Sequence, residues 1–100
     1  MINSRQRAQL RGLANGIDTI LYVGKDGITD NVIRQCSDAL EARELIKGKV
    51  LDNALMTAKE VCGELCEACR AEPVQVIGSK FVLYRESRTM DKEKRIRLVK

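Results

Sequence analysis

A chain of 100 residues with 44% apolar side chains has the length of one domain and enough apolar content for a modest core, which excludes a disordered chain. No apolar run approaches the ~18 residues of a membrane span, and the start, MINSRQR, has no apolar signal-peptide segment. The net charge of +4 is uneven: residues 1–25 carry four basic and one acidic side chains, residues 26–77 six and ten, and residues 78–100 eight and three.

The first elements are a helix and a strand. Ser4 is a candidate N-cap for a helix over 5–15, and Arg7 and Arg11 lie four residues apart beside its apolar stripe. The stretch TILYV at 19–23 is β-branched and apolar, and therefore predicts a short strand.

A second helix and a second strand follow in the middle of the chain. Thr29 is a good N-cap for a helix over 30–43. ELIKGKVL at 44–51 predicts a second strand, in which alternation places Lys47 and Lys49 on one face. The opposite face of this strand then carries Ile46, Gly48 and Val50.

A third helix is predicted over 54–70, with Asp52 or Asn53 as its N-cap. Its apolar stripe would be formed by Leu55, Ala58, Cys62, Leu65 and Cys69.

The last strands form a hairpin. VQVIG at 74–78 and KFVLYR at 80–85 are strand segments that turn at Gly78-Ser79. The order α-β-α-β-α-β-β predicts an α/β (α+β) domain with a four-stranded mixed sheet and packed helices. We expect this domain to span 1–86, followed by a basic tail at 87–100 with little to bury.

Residues that could carry catalysis are scarce. The chain has no histidine, which excludes imidazole-based triads and metal sites, and we expect no enzyme activity and no cofactor. Cys62-x3-Cys66-x2-Cys69 has the spacing of an iron–sulfur motif, but the three cysteines fall near one face of a predicted helix. Core packing is the favoured interpretation, and a metal or redox protein is the alternative. Without an export signal, the four cysteines are expected to be reduced thiols in a cytoplasmic protein.

The stretch YVGKDGIT raises a different possibility, because Gly24 and Gly27 form a GxxG loop between a strand and a helix N-terminus. Glycine permits a sharp turn and a close approach of phosphate to the backbone, and the helix N-terminus attracts anions. Lys25 adds a positive charge at the tip, whereas Asp26 and Asp30 oppose anion binding. A strand-to-helix turn that needs two glycines for its geometry is an equally good interpretation of this loop alone.

The chain as a whole resembles the CRM domain (chloroplast RNA splicing and ribosome maturation), in its stand-alone bacterial YhbY form. The resemblance covers residues 4–86 and rests on QRAQLRGLA, YVGKDGITDNVI, ELIKGKV and VQVIGSKFVLYR, which occur in the order and spacing of the family. It implies a fold similar to the C-terminal domain of translation initiation factor three, and RNA binding in large-subunit ribosome assembly. It also likens the GxxG loop to that of KH domains, which clamps backbone phosphates. Family members usually carry a β-branched residue where Gly48 stands.

We therefore expect a monomeric, non-catalytic protein with no membrane or small-molecule partner, and the resemblance implies that it binds ribosomal precursor RNA. Basic chain ends that meet in space would form one positive face on an acidic body, as in polyanion binders. A protein-docking module that uses acids such as Glu60, Glu64 and Glu67 to contact ribosomal proteins is the alternative. The backbone clamp would be Gly24, Lys25, Asp26 and Gly27, and the candidate phosphate contacts are Arg7, Arg11, Lys47, Lys49, Lys80 and Arg85.

Overall fold

The structure is a computed structural model that describes residues 2–100. It confirms the predicted order of three helices and four strands. The elements are α1 (Ser4–Ala14), β1 (Thr19–Val23), α2 (Asp30–Arg43), β2 (Leu45–Val50), α3 (Ala58–Cys69), β3 (Glu72–Ile77) and β4 (Lys80–Tyr84).

The four strands form one mixed sheet in the order β1-β2-β4-β3. β1 and β2 are parallel, and β4 pairs antiparallel with both β2 and β3. The loops that follow β1 and β2 therefore lie at the same end of the sheet as the β3–β4 turn. The Val50 amide donates to the Ser79 carbonyl across this end, at 2.8 Å. We call it the loop end, and the opposite end the far end.

Alternation along the strands separates two faces. Ile46 and Val50 lie in a core cluster with residues of α2 and α3, whereas Leu45 belongs to a second cluster with residues of α1. Helices therefore cover both faces, and Lys47 and Lys49 lie on the α1 face, as the alternation predicted.

Gly48 is required by the Phe81 ring, which lies directly over it from the paired position on β4. A methyl group at Gly48 would overlap three ring carbons, so Gly48→Ala is expected to lower the free energy of unfolding by about 1–3 kcal/mol through overpacking. Urea denaturation measures this. Gly63→Ala is the matched control, because Gly63 is an exposed position of α3 where a methyl group meets nothing within 4 Å. An equal effect of both changes would contradict this explanation of Gly48.

Two predicted helix caps were wrong. The N-cap of α1 is Asn3 and not Ser4, because the Asn3 side chain accepts from the Gln6 amide and Gln6 reciprocates in a capping box. α3 begins four residues later than predicted, because Thr57 and Glu60 form a second capping box. Leu55 therefore lies in the preceding turn and is 93% exposed, so it is not part of the apolar stripe.

The segment after β4 also differs from the expected tail with little to bury. Ser87 is buried, and Ile96 and Leu98 pack against the α1 side of the sheet. Two carboxylates at the end of α2 hold this segment. Glu41 accepts from the Ser87 hydroxyl and from the amides of residues 88 and 89, and the fully buried Glu44 accepts from the amides of residues 87 and 96. The hydrogen bond from Ser87, with those from the two amides, lowers the pKa of Glu41 to about 2.

Among residues 2–100, no helix is both long and apolar enough to cross a membrane.

Candidate nucleic-acid interface

The GxxG loop is a tight turn between β1 and α2. The Gly27 amide donates to the Gly24 carbonyl at 3.0 Å, which places Lys25 and Asp26 at the exposed tip. The next residues start α2, where the Thr29 hydroxyl accepts from the Val32 amide at 3.2 Å. The tip therefore lies beside a helix N-terminus with its partial positive charge.

The two glycines differ in what the turn demands of them. Gly27 has a φ of 68°, a left-handed conformation that favours glycine. Gly24 has no such conformation, and a methyl group there would meet Asn53 Oδ1 and Leu51 Cδ1 at 3.5 Å, an ordinary contact distance. Turn geometry thus explains Gly27, while Gly24 needs another reason.

A row of side chains crosses the sheet on the α1 face near the loop end. Lys49 lies directly opposite Lys80 on β4, Tyr22 is its partner on β1, and Ile77 on β3 pairs with Lys80. Paired residues share a face, so these four side chains point to the same side. Tyr22 was not among the predicted site residues, although its place between buried Leu21 and Val23 in an alternating strand signals an outward side chain.

The α1 arginines lie on the helix that covers the same face of the sheet as this row, and Arg7 contacts the far-end part of β3. Gln6 and Gln9 on one side of α1 bond to the segment at 97–99, which lies at the far end. Arg7 and Arg11 lie on the opposite side of the helix by its 3.6-residue period. The Arg7 Nε donates to the Pro73 carbonyl at 3.2 Å.

Arg85 does not join the other candidates. Its side chain lies on the α2–α3 face at the far end, and its guanidinium donates to the Ser37 hydroxyl and carbonyl and to the Cys69 carbonyl at 2.8–3.1 Å. It also pairs with Glu41 at 3.5 Å. The prediction of a phosphate contact at Arg85 is therefore corrected: its donors tie α2, α3 and β4 together.

The remaining cations have no acidic partner. Only two ion pairs within 4 Å occur in the described part of the chain, Arg85–Glu41 and Arg95–Glu86. Uncompensated positive charges in one region create an attractive field for polyanions. We use "cationic surface" for the set Arg7, Arg11, Lys25, Lys47, Lys49 and Lys80.

The cysteines are core residues, as their helical spacing predicted. Cys36 on α2 and Cys62 and Cys69 on α3 are buried in the main core, and Cys66 packs against it. Burial raises the pKa of Cys36 to about 12, so this thiol stays protonated and unreactive.

Comparison with known proteins gives consistent matches. The model of the CRS1 / YhbY (CRM) domain matches residues 2–85. A Bacillus subtilis protein named "Probable RNA-binding protein YqeI" is 43% identical over 88 residues, which cover 88% of this chain and 92% of that protein. A Haemophilus influenzae protein named "RNA-binding protein" is 33% identical over 86 residues, covering 86% and 87%. The solution structure of a hypothetical protein from Staphylococcus aureus superimposes with a TM-score of 0.80 at 49% identity, covering 99% of this chain and 100% of that one.

Proposed function

Since the chain belongs to the CRS1/YhbY (CRM) domain family, we propose that it is a non-catalytic RNA-binding protein whose GxxG loop and cationic surface hold the RNA backbone. Two similar bacterial proteins carry RNA binding in their names. The observation that carries the proposal is the position of the loop at the same end of the sheet as Lys49 and Lys80, two cations that have no acidic partner within 4 Å.

The clamp works through backbone and charge. Gly27 allows the tight turn, α2 contributes the partial charge of its N-terminus, and Lys25 contributes a full charge at the tip. Contacts of this kind are made to phosphates and carry no base information. The RNA we propose is a ribosomal precursor bound during assembly of the large subunit in the cytoplasm. This rests on the family resemblance.

Lys25→Asp tests the clamp. The tip already accepts an aspartate at the neighbouring position, so the turn should persist with an unchanged melting temperature. Loss of one charged contact costs about 1.5–3 kcal/mol, and repulsion adds to this. We therefore expect RNA affinity in a low-salt filter-binding assay to fall about tenfold or more.

Lys92→Asp is the matched control, because it makes the same charge change at an exposed position in the C-terminal segment. Equal affinity losses in both variants would mean that Lys25 acts only through the net charge of the protein, and would contradict the clamp. If the wild-type protein bound no RNA at low salt, the protein-docking alternative would replace the proposal. If the wild-type protein does bind RNA, crosslinking in cells would identify the bound RNA. Recovery of RNA other than the large-subunit precursor would contradict the proposed target.

A further inference from the structure

The chain exposes one of its three aromatic side chains. Phe81 and Tyr84 are buried, whereas Tyr22 is 53% exposed. A ring that is half exposed contributes little to the core. Its free surface is available to contact a ligand.

The Tyr22 ring is held in place on the sheet. Its hydroxyl donates to the Thr19 carbonyl, three residues back on the same strand, at 3.4 Å. This bond lays the ring along β1, so that it runs from Tyr22 back towards Thr19 and stays half exposed. A ring that is positioned in advance loses little entropy when it binds a planar ligand.

Two lysines lie on the same face of the sheet as this ring. Lys49 is the partner of Tyr22 on the neighbouring strand, and Lys80 lies opposite Lys49. Neither lysine has an acidic partner within 4 Å in the part of the chain that the structure describes. Gly24 follows Tyr22 by two residues, a distance of about 7 Å along an extended chain.

An exposed aromatic ring beside unpaired cations is the arrangement that binds single-stranded nucleic acid, because an unpaired base stacks on the ring while the cations contact the backbone. We propose that Tyr22 stacks against an unpaired base of the RNA, and that Lys49 and Lys80 contact the phosphates of the same single-stranded segment. This inference rests on the proposed function and adds to it a preference for single strands next to the clamp.

Affinity measurements with two probes test this proposal. Tyr22→Ala should weaken binding of a short oligouridylate roughly tenfold, and should leave binding of a short RNA duplex nearly unchanged. Tyr22→Phe keeps the ring and should retain the affinity for oligouridylate. An equal loss for the two probes, or an equal loss in the two variants, would overturn the stacking.

Fluorescence gives a direct readout, because the chain has no tryptophan and only two tyrosines. In a Tyr84→Phe background Tyr22 is the only tyrosine, and its emission should be quenched by oligouridylate and not by the duplex. Unquenched emission in a complex that does form would refute the stacking and leave the proposed function intact. Absence of any complex with wild-type protein would instead refute both.

Discussion

Reversing the charges of Lys49 and Lys80 together, by K49E with K80E, is expected to reduce RNA affinity about a hundredfold or more. Each charged contact to phosphate is worth about 1.5–3 kcal/mol, and the two carboxylates also repel the backbone. The slope of log affinity against log salt should fall by about 1.4, since each phosphate contact to single-stranded RNA contributes ~0.7. Binding titrations over a salt series measure both quantities.

The fold should tolerate this double change. The two lysines lie directly opposite each other across β2 and β4, so one like-charge pair replaces another and the local repulsion is similar. K92E with K94E is the control, since it makes the same total charge change at exposed positions in the C-terminal segment. A loss of affinity in the control as large as in the sheet variant would place the binding surface elsewhere.

Glu44→Ala is expected to give the largest loss of stability. The Glu44 carboxylate is fully buried, and it accepts from the Ser87 amide at 2.7 Å and from the Ile96 amide at 2.6 Å. Its removal leaves the buried Ser87 amide and the half-buried Ile96 amide without this acceptor, and an unpaired buried donor costs about 1–3 kcal/mol. The melting temperature should fall by about 10 °C or more, since 1 kcal/mol corresponds to about 4–8 °C in a domain of this size.

Glu93→Ala is the control, because Glu93 is exposed and lies in the segment that Glu44 holds.

We also expect deletion of residues 88–100 to destabilise the domain, since it removes three of the amides that Glu41 and Glu44 bind. Calorimetry of the variants measures these effects. An unchanged melting temperature in Glu44→Ala would mean that the segment is held by its apolar contacts.

The order and spacing of the elements could be predicted from the sequence because their signals are local. TILYV sets β1, the Thr29 hydroxyl caps α2, and alternation alone assigns Lys47 and Lys49 to one face. The GxxG turn was also visible, because a glycine pair between a strand and a helix is a local feature. The φ value of Gly27 shows that the turn itself needs this glycine, and the phosphate clamp stays a prediction.

The tertiary structure alone decided what depends on distant partners. Arg85 was predicted to contact phosphate because it is basic. Its guanidinium instead donates to residues of α2 and α3, which lie far from it in sequence. The C-terminal segment was predicted to be a polar tail with little to bury. Nothing in the local sequence indicates that Glu41 and Glu44, more than 40 residues earlier, accept hydrogen bonds from its amides. Strand register, which is set by pairing across the sheet, is also what brought Tyr22 beside Lys49. The local sequence thus determined the elements of this protein, whereas long-range hydrogen bonds and register decided which side chains are tied into the fold and which stay exposed.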